Sequence, residues 1–418
     1  MARITDKRVM GGARLSRRQI LRTVATGAVA ATVSPFSFNV ARGAGAAIRI
    51  GFPVPLTGPY GLEAREQVRG AQLAVDEFNA GGGLDGRMAE LLVRDDKLDP
   101  AEAVSRVRDL IEKDKVHFLC GSLSASVQLA VNEVARARGM LFMSISQSDR
   151  INEASDFSKY TFHEAMTPHM TAGAVGRYAF PRHGRRVAYL HADYAFGAEM
   201  VRGFKREGEK QGVETVAEIA HPVGAKDFSG PLKRIQAARP DVLCLCNFGA
   251  DQFNAIAQAA DLGLKDTMTL VVPALSFSQR LAGGAAWDGV IGGTNYYWGL
   301  ETTVPSAKAL NDAWRRRNEG DPPSDYGAYG YTGVCMLLEG IRATSGTDTD
   351  KVIATLENLR YDKCKGEQYY RKCDHQSVQQ VFVVESKPAA EMANSWDAFT
   401  IVHTEPAAET NLRNCEEL

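Results

Sequence analysis

Short apolar runs alternate along the chain with longer segments in which apolar residues recur every three or four positions. The runs Ile48 to Phe52, Met88 to Val93 and Val116 to Cys120 have the length of buried strands. The segment between the first two runs has the spacing of an amphipathic helix, and it ends in the glycine cluster at 81–83. This alternation of strand and helix predicts βαβ units and a parallel sheet.

The same rhythm restarts after residues 165–167, where we predict the joint between two blocks. The predicted strands of the second block cover Arg186 to His191, Thr215 to His221, Asp241 to Cys246 and Met268 to Val272. A segment with helical spacing lies between each pair of consecutive strands. Two similar α/β blocks in tandem predict two lobes of like architecture.

The final third of the chain does not repeat this rhythm. Three amphipathic segments, Ser306 to Glu319, Tyr329 to Thr344 and Asp348 to Leu359, predict helices. Val378 to Glu385 and Trp396 to His403 predict an antiparallel hairpin. These pieces are too few to bury a core of their own, so we expect them to complete the two lobes. The chain then crosses between the lobes more than once.

The N-terminus has the features of an export signal. A basic stretch containing Arg17 and Arg18 precedes a mildly apolar run from Thr23 to Phe38, and residues 44–46 read Ala-Gly-Ala, a small-residue cleavage site. The paired arginines favour a twin-arginine signal over residues 1–46, with an ordinary secretory signal as the alternative. Either signal takes the protein out of the cytoplasm. No later run is apolar and long enough to span a membrane.

The net charge of the chain bears on the class of its partner. The chain has 49 Lys and Arg and 50 Asp and Glu, and removing residues 1–46, with eight basic residues and one acidic, leaves a net charge of −8. An acidic chain argues against a nucleic-acid partner.

Cys364, Cys373 and Cys415 lie in polar surroundings, and the destination is oxidising. One disulfide is expected, either Cys373–Cys415 or Cys364–Cys373, and spacing does not choose between them.

Two hydroxyl-rich loops follow neighbouring predicted strands, within the stretch from Cys120 to Ser148. The first loop covers residues 121–126 and leads into a helix; the second covers residues 145–148. In open α/β sheets, ligands bind at the carboxyl edge of the strands. A helix N-terminus at that edge favours an anion such as a carboxylate. We expect the two loops to form one wall of a binding cleft, although serines after strands also serve simply as turn or cap residues.

The sequence contains no pattern typical of an enzyme. It has no Gly-x-Ser-x-Gly elbow, no His-Glu-x-x-His and no Walker loop. The glycines between 82 and 86 end a helix rather than open one, so they do not form a dinucleotide loop. We therefore predict a binding protein with no catalytic residue, no metal site and no cofactor.

Several segments together resemble one known family. They are IGFPVPLTGPYG (50–61), GAQLAVDEFNAGGGLDGR (70–87), FLCGSLSASVQLAVNEVA (118–135), and the segments 192–197, 238–264 and 373–384. They resemble the periplasmic substrate-binding proteins of ABC transporters, in the family of branched-chain amino acid and amide receptors. The resemblance implies a type I bilobal α/β fold, in which two Rossmann-like lobes with parallel central sheets are joined by a three-crossover hinge.

The resemblance also implies a division of the chain. Residues 1–46 are the signal peptide, and 406–418 form a C-terminal tail. Lobe 1 takes residues 47–165 plus 300–365, and lobe 2 takes 166–299 plus 366–405. By analogy with the family we expect a monomer.

Site residues are carried over from the family at matching positions. Tyr60 matches a cleft aromatic. Ser124, Ala125 and Ser126 match the loop that holds a ligand carboxylate, and Ser146 and Ser148 match the second loop. Three aromatic residues of lobe 2 match positions that close over the ligand: Tyr194, Phe196 and Phe248. For Tyr60 and Phe248, ordinary packing within a lobe is the alternative.

One position departs from the amino-acid binders of the family. They carry an acidic residue after the strand that corresponds to Thr269–Val272, and that residue pairs with the ligand ammonium. Here the loop reads Pro-Ala-Leu-Ser-Phe, with Ala274 at the acidic position. A buried ammonium needs a counter-charge. The departure favours a carboxylate or a neutral polar ligand over an α-amino acid.

The expected function is that of a periplasmic solute receptor for an ABC importer. Two lobes close around a small ligand by a hinge motion, and the closed form docks on a membrane permease. The expected ligand is an aromatic or aliphatic carboxylate or a branched-chain amino acid. The alternatives are an amide- or urea-type ligand, a periplasmic sensor of the same fold, and an exported enzyme.

Overall fold

A computed structural model describes residues 46–417 of the protein. The predicted export signal lies outside these residues, except for Ala46. Fifteen strands occur in the described part: β1 Ile48–Val54, β2 Ala89–Asp95, β3 Phe118–Gly121, β4 Phe142–Ser144, β5 Thr161–His163, β6 Arg186–Ala192, β7 Glu214–His221, β8 Val242–Cys246, β9 Thr269–Val272, β10 Ile291–Thr294, β11 Arg360–Tyr361, β12 Gln368–Tyr370, β13 Ser377–Val378, β14 Val381–Ser386 and β15 Phe399–Glu405. Eleven α-helices accompany them: α1 Gly61–Ala80, α2 Pro100–Glu112, α3 Ala125–Arg138, α4 Pro168–His183, α5 Ala195–Gln211, α6 Ser229–Ala238, α7 Gly249–Asp261, α8 Phe277–Gly283, α9 Pro305–Arg317, α10 Asp325–Thr344 and α11 Thr349–Leu356.

The first lobe is built on a five-stranded parallel sheet in the order β2-β1-β3-β4-β5. Its strands are apolar because helices cover both faces. On one face α1 and α10 pack closely against each other. A Cβ on Gly70 would lie 1.9 Å from the carbonyl oxygen of Gly327, and a Cβ on Gly330 would lie 1.9 Å from that of Gln67. Glycine at both positions therefore lets α10 reach the middle of the lobe.

The second lobe is built on a seven-stranded sheet in the order β15-β14-β10-β9-β8-β6-β7. Strands β6 to β10 are parallel, and β14 and β15 form the predicted antiparallel hairpin at one edge. The hairpin comes from the C-terminal part of the chain and pairs with β10. The expectation that the late elements complete existing lobes is thereby confirmed.

The chain passes between the two sheets three times. It leaves the first lobe after β5, returns after β10 to form α9 and α10, and leaves again through a small sheet of β11, β12 and β13. Gln376 pairs with His163 at the end of β5, so the small sheet lies beside the first crossing. The α/β bilobal fold with three crossovers is confirmed, while the residue ranges given to the lobes stay a prediction. The periodicity did not indicate β5, the small sheet or α8.

The C-terminal segment is held against the body of the protein. Cys373 and Cys415 form a disulfide with a Cα–Cα distance of 6.1 Å, and Cys364, the rival partner, is a buried free thiol. Arg371 Nη1 donates to the carbonyl oxygen of Arg413 at 2.8 Å. Among the described residues, no helix has both the length and the apolar character needed to cross a bilayer.

Candidate ligand-binding site between the lobes

A cavity lies where the carboxyl ends of the parallel strands of both lobes face each other. Loops after β3 and β4 form one side, and the starts of α5 and α7 form the other, as expected for ligand sites of open α/β sheets. Ten residues line it: Leu123, Ala125, Ile145, Ser146, Gln147, Tyr194, Phe196, Phe248, Tyr326 and Tyr329. The two tyrosines of α10 reach it because α10 packs so closely on α1.

Several helices begin at the cavity with their first backbone N–H groups uncapped by a side chain. Ser124, Tyr194 and Phe248 are the N-cap residues of α3, α5 and α7, and none of them caps its helix through its side chain. Asp99 and Thr167 cap α2 and α4 through their side chains, while α6 and α9, away from the cavity, also begin without a side-chain cap. Free N–H groups and the helix dipole attract negative charge, although in the first turn of α7 the N–H of Ala250 already donates to the carbonyl oxygen of Pro59. The cavity is therefore suited to a carboxylate.

Two polar atoms of the second loop have no partner in the protein. The hydroxyl of Ser146 and Oε1 of Gln147 are buried and make no hydrogen bond. Leaving such a group unsatisfied costs about 1–3 kcal/mol. A ligand oxygen that accepts from Ser146, and a ligand N–H or O–H that donates to Gln147, would recover this free energy.

Aromatic rings enclose the apolar side of the cavity. Phe248 lies 5.3 Å from Tyr326 and 6.3 Å from Phe196 between ring centroids, and Tyr194 stacks on Phe196 at 5.9 Å. Rings at such distances favour an apolar or aromatic ligand body. Burial raises the pKa of Tyr194 and Tyr326 well above its usual value. Their hydroxyls are therefore neutral and able to donate.

The two lobes touch in the structure, and the cavity is correspondingly small. The cavity volume is about 10 Å³, which is about enough for a single water molecule. The backbone N–H of Ala250 donates to the carbonyl oxygen of Pro59 at 3.1 Å across the lobe boundary. A ligand the size of an aromatic acid requires the lobes or the aromatic side chains to move apart before it can enter.

Charged side chains are absent from the lining among the described residues. Two buried carboxylates of the first lobe lie close by, but they contact the start of α8. Asp325 accepts from the N–H of Phe277 at 3.1 Å, and Glu63 accepts from Nε2 of Gln279 at 2.6 Å. Burial raises the pKa of Asp325 to about 8 and also raises that of Glu63. Neither group supplies the lining with a counter-charge for an ammonium.

The geometry of two lobes with an intervening cavity agrees with comparisons to known proteins. A family model for periplasmic binding proteins matches residues 47–391, which is most of the chain. The chain belongs to this family. The leucine-, isoleucine-, valine-, threonine- and alanine-binding protein of Pseudomonas aeruginosa is 24% identical to this binding protein, over 76% of this chain and 84% of the relative.

Solved structures extend the likeness to the fold. A periplasmic binding protein from Burkholderia mallei superposes with a TM-score of 0.82 at 25% identity, covering 89% of this chain and 97% of the other. A solute-binding protein of an ABC transporter from R. palustris, in complex with benzoate, superposes with a TM-score of 0.79 at 22% identity, covering 87% and 97%. These relatives are substrate-binding proteins. The prediction of a binding protein rather than an enzyme is confirmed.

The binding protein brings five of the ten predicted site residues together in the cavity lining. They are Ala125, Ser146, Tyr194, Phe196 and Phe248. Tyr60 is buried behind this lining, where its ring packs edge-on against Phe248 at 5.0 Å. The assignment of these residues to a ligand stays a prediction.

The four remaining predicted residues also lie outside the cavity lining. Ser124 is the N-cap of α3, and its carbonyl oxygen accepts from the N–H of Gln128. Ser126 lies in the first turn of α3. Ser148 donates to Glu199 at 3.2 Å instead of facing the cavity. Ala274 is buried in the loop after β9.

Five lining residues were missed from the sequence. Leu123, Ile145 and Gln147 belong to the two hydroxyl-rich loops predicted to border the cleft, so the serines beside them indicated their location. Tyr326 and Tyr329 had no such signal. The spacing predicts a helix with an apolar face that begins at Tyr329, and nothing in the local pattern shows that this face borders a cavity.

Proposed function

We propose that the protein is a periplasmic solute receptor that binds a small carboxylate between its lobes and delivers it to an ABC import permease. The observation that carries the proposal is the meeting of three uncapped helix starts with the unpartnered hydroxyl of Ser146. Backbone N–H groups and a hydroxyl donate to a carboxylate without needing a cationic side chain.

The rings of the lining favour an aromatic or branched aliphatic body on that carboxylate. A benzoate complex among the structural neighbours is consistent with this choice. The missing counter-charge in the lining disfavours an α-amino acid, since an unpaired buried ammonium is costly. A ligand with a second donor, such as a ring hydroxyl, would also satisfy Oε1 of Gln147.

Amino acids and amides form the second candidate ligand class. Oε1 of Gln147 is a buried acceptor without a donor, and an ammonium or amide N–H would satisfy it. The relative from Pseudomonas aeruginosa is named for branched-chain and small amino acids. In this case the dipoles of Gln147 and the tyrosines, rather than an acidic side chain, hold the ammonium.

The receptor acts as a monomer that opens and closes about the three crossings. The lobe ranges that go with this mechanism are 47–165 plus 300–365 and 166–299 plus 366–405. Export by the twin-arginine signal at 1–46 brings the chain to the periplasm. A sensor of the same fold would close in the same way but report to a regulator, and transport by the reconstituted permease separates the two functions.

The test is a thermal-shift screen of residues 47–418 with benzoate, 4-hydroxybenzoate, isovalerate, L-leucine and acetamide. Ligand that binds the native state raises the melting temperature. We expect shifts with the carboxylates and none with L-leucine. If L-leucine or acetamide shifts the melting temperature and the carboxylates do not, the result supports the second ligand class instead.

A pair of serine variants ties the result to the cavity. Ser146→Ala removes the unpartnered hydroxyl of the lining and should abolish the carboxylate shift. Ser386→Ala removes another buried, unpartnered hydroxyl, in β14 outside the lining, and should leave the shift unchanged. Equal shifts in the two variants would show that the carboxylate binds elsewhere.

A further inference from the structure

Glu199 reaches from α5 of the second lobe to the loop of the first lobe that carries Ser146 and Gln147. Its Oε2 accepts from the backbone N–H of Asp149 at 2.7 Å, and its Oε1 accepts from the hydroxyl of Ser148 at 3.2 Å. The residue is 2% exposed. It lies about one helical turn beyond Phe196, which lines the cavity from the same helix.

We infer that Glu199 is a positioning residue which ties the second binding loop to the opposite lobe, and that closure of the lobes takes up a proton at this carboxyl. The inference rests on the proposed function, because it assumes that the lobes open and close. It assigns Glu199 no contact with the ligand. The residue acts through Ser148 and Asp149, next to the two unpartnered polar groups of the lining.

The surroundings of Glu199 contain charge of both signs. Asp149 is a buried carboxylate beside it, whose Oδ1 accepts from the N–H of His169 at 2.8 Å. Arg202 lies 3.7 Å from Asp149 Oδ2 and 3.8 Å from Glu153. The other groups that act on Asp149 are Arg206 of α5 and Arg413 of the C-terminal segment. The arginines partly offset the two carboxylates, but Glu199 and Asp149 still face each other.

This arrangement makes the charged form of Glu199 unfavourable in the closed protein. Burial and the neighbouring Asp149 raise the pKa of Glu199 to about 7, although the two hydrogen bonds that it accepts and the charge of Arg202 act in the opposite direction. When the lobes separate, Glu199 loses its partners on the first lobe and faces water, where a glutamic acid has a pKa of about 4.3. The closed form therefore binds the proton more tightly than the open form.

The direction of the pH effect follows from this difference. Below about pH 4 the carboxyl is protonated in both forms, and ionisation does not oppose closure. As the pH rises toward 7, the open form loses the proton first and closure becomes less favourable. Above about pH 7 the closed form ionises as well, and the free-energy penalty on closure no longer increases. A protonated carboxyl still accepts from Asp149 through its carbonyl oxygen, so the contact persists while the repulsion disappears.

Hydrogen exchange of the ligand-free chain 47–418 tests the inference without a known ligand. The N–H of Asp149 is protected only while Glu199 accepts from it across the lobe boundary. Exchange of residues 145–152 is measured at pH 5.5 and pH 8 and corrected for intrinsic rates. We expect protection at pH 5.5 to exceed that at pH 8 by about thirtyfold, since pKa values of about 7 in the closed form and about 4.3 in the open form change the closing equilibrium by that factor between the two pH values.

Glu199→Gln mimics the protonated carboxyl and should remove most of this pH dependence, with protection at pH 8 above that of the wild type. Glu207→Gln is the matched control. Glu207 is a buried carboxylate of the same helix that pairs with Arg177 of its own lobe. That variant should keep the wild-type pH dependence. If Glu199→Gln does not fold, Glu199→Ala replaces it, with low protection at both pH values expected.

Two results would overturn the inference: no pH dependence in the wild type, or the same pH dependence in the wild type and Glu199→Gln. Binding of benzoate and L-leucine is measured separately by thermal shift. Absence of binding counts against the proposed function and leaves the exchange result to decide the role of Glu199.

Discussion

The hydroxyl of Tyr60 lies 3.0 Å from the hydroxyl of Tyr194, and this hydrogen bond joins the starts of two helices from opposite lobes. Tyr60 precedes α1 of the first lobe, and Tyr194 precedes α5 of the second. The Tyr60 ring also packs on Phe248, the residue before α7. Tyr60 of the first lobe thus contacts both Tyr194 and Phe248, which line the cavity from the second lobe.

Removing the Tyr60 hydroxyl should weaken closure without disturbing either lobe. Tyr60→Phe keeps the ring against Phe248 but loses the hydrogen bond to Tyr194, which is worth about 0.5–1.5 kcal/mol. We expect ligand affinity to fall about three- to tenfold in calorimetry, with a nearly unchanged melting temperature of the ligand-free protein. Tyr160→Phe, outside the cavity lining, is the control and should bind like the wild type. Unchanged affinity in Tyr60→Phe would show that the contact plays no part in closure.

Gly249→Ala should hold the lobes apart. A Cβ at this position would lie 2.4 Å from the Tyr60 ring and 2.7 Å from the carbonyl oxygen of Pro59, both on the opposite lobe. The backbone φ of Gly249 is 62°, which adds about 1 kcal/mol of strain for any other residue. We expect a larger radius of gyration in small-angle scattering and at least tenfold weaker ligand binding.

Gly224→Ala separates the clash from the backbone strain. Gly224 also has a positive φ, of 81°, but a Cβ there meets nothing within 4 Å. This variant should lose a similar amount of stability and keep the wild-type radius of gyration and affinity. A similar loss of affinity in both glycine variants would mean that strain, not closure, is responsible.

The disulfide should contribute substantially to stability. Cys373 and Cys415 are 42 residues apart, and cross-linking a loop of this length stabilises the folded state by up to about 4 kcal/mol in the chain-entropy model. We expect Cys373→Ser with Cys415→Ser to lower the free energy of unfolding by about 2–4 kcal/mol in urea. Peptide mapping of the wild type should find Cys364 as a free thiol. A Cys364–Cys373 linkage would contradict the structure.

Stability should fall in mild acid because of His163. Its Nε2 lies 2.7 Å from the carbonyl oxygen of Ser146, and burial lowers the pKa of the ring to about 4. The unfolded chain, with a histidine pKa of about 6.5, binds the proton first as the pH drops. Stability is therefore complete above pH 6.5 and is lost progressively toward pH 4, by on the order of 1–3 kcal/mol.

His163→Gln keeps an N–H donor but cannot be protonated in this range. The variant should show a flatter dependence of the melting temperature on pH between 4 and 6.5. His403→Gln, at a histidine of β15 that is largely exposed, is the control and should follow the wild type. The raised pKa of Glu199 acts on unfolding with the opposite sign in the same pH range, so the contribution of His163 is read from the difference between His163→Gln and the wild type.

The local pattern of the sequence determined most of the elements and the region of the site. Alternating strand and helix spacing predicted the parallel sheets of both lobes, and the late hairpin was predicted as well. The hydroxyl-rich loops after β3 and β4 do border the cavity. These features depend on neighbours along the chain, since periodicity shows which face of an element is buried.

Only the tertiary structure decided what each buried face touches. Tyr326 and Tyr329 line the cavity because glycines of α1 and α10 let these helices approach, although the two helices are more than 200 residues apart. Ser148 turns away from the cavity toward Glu199, some 50 residues later. The apolar face of a helix or strand can be buried by any apolar surface, and a polar side chain can form a hydrogen bond with any donor or acceptor within reach. Which partner is present depends on the long-range packing of the lobes.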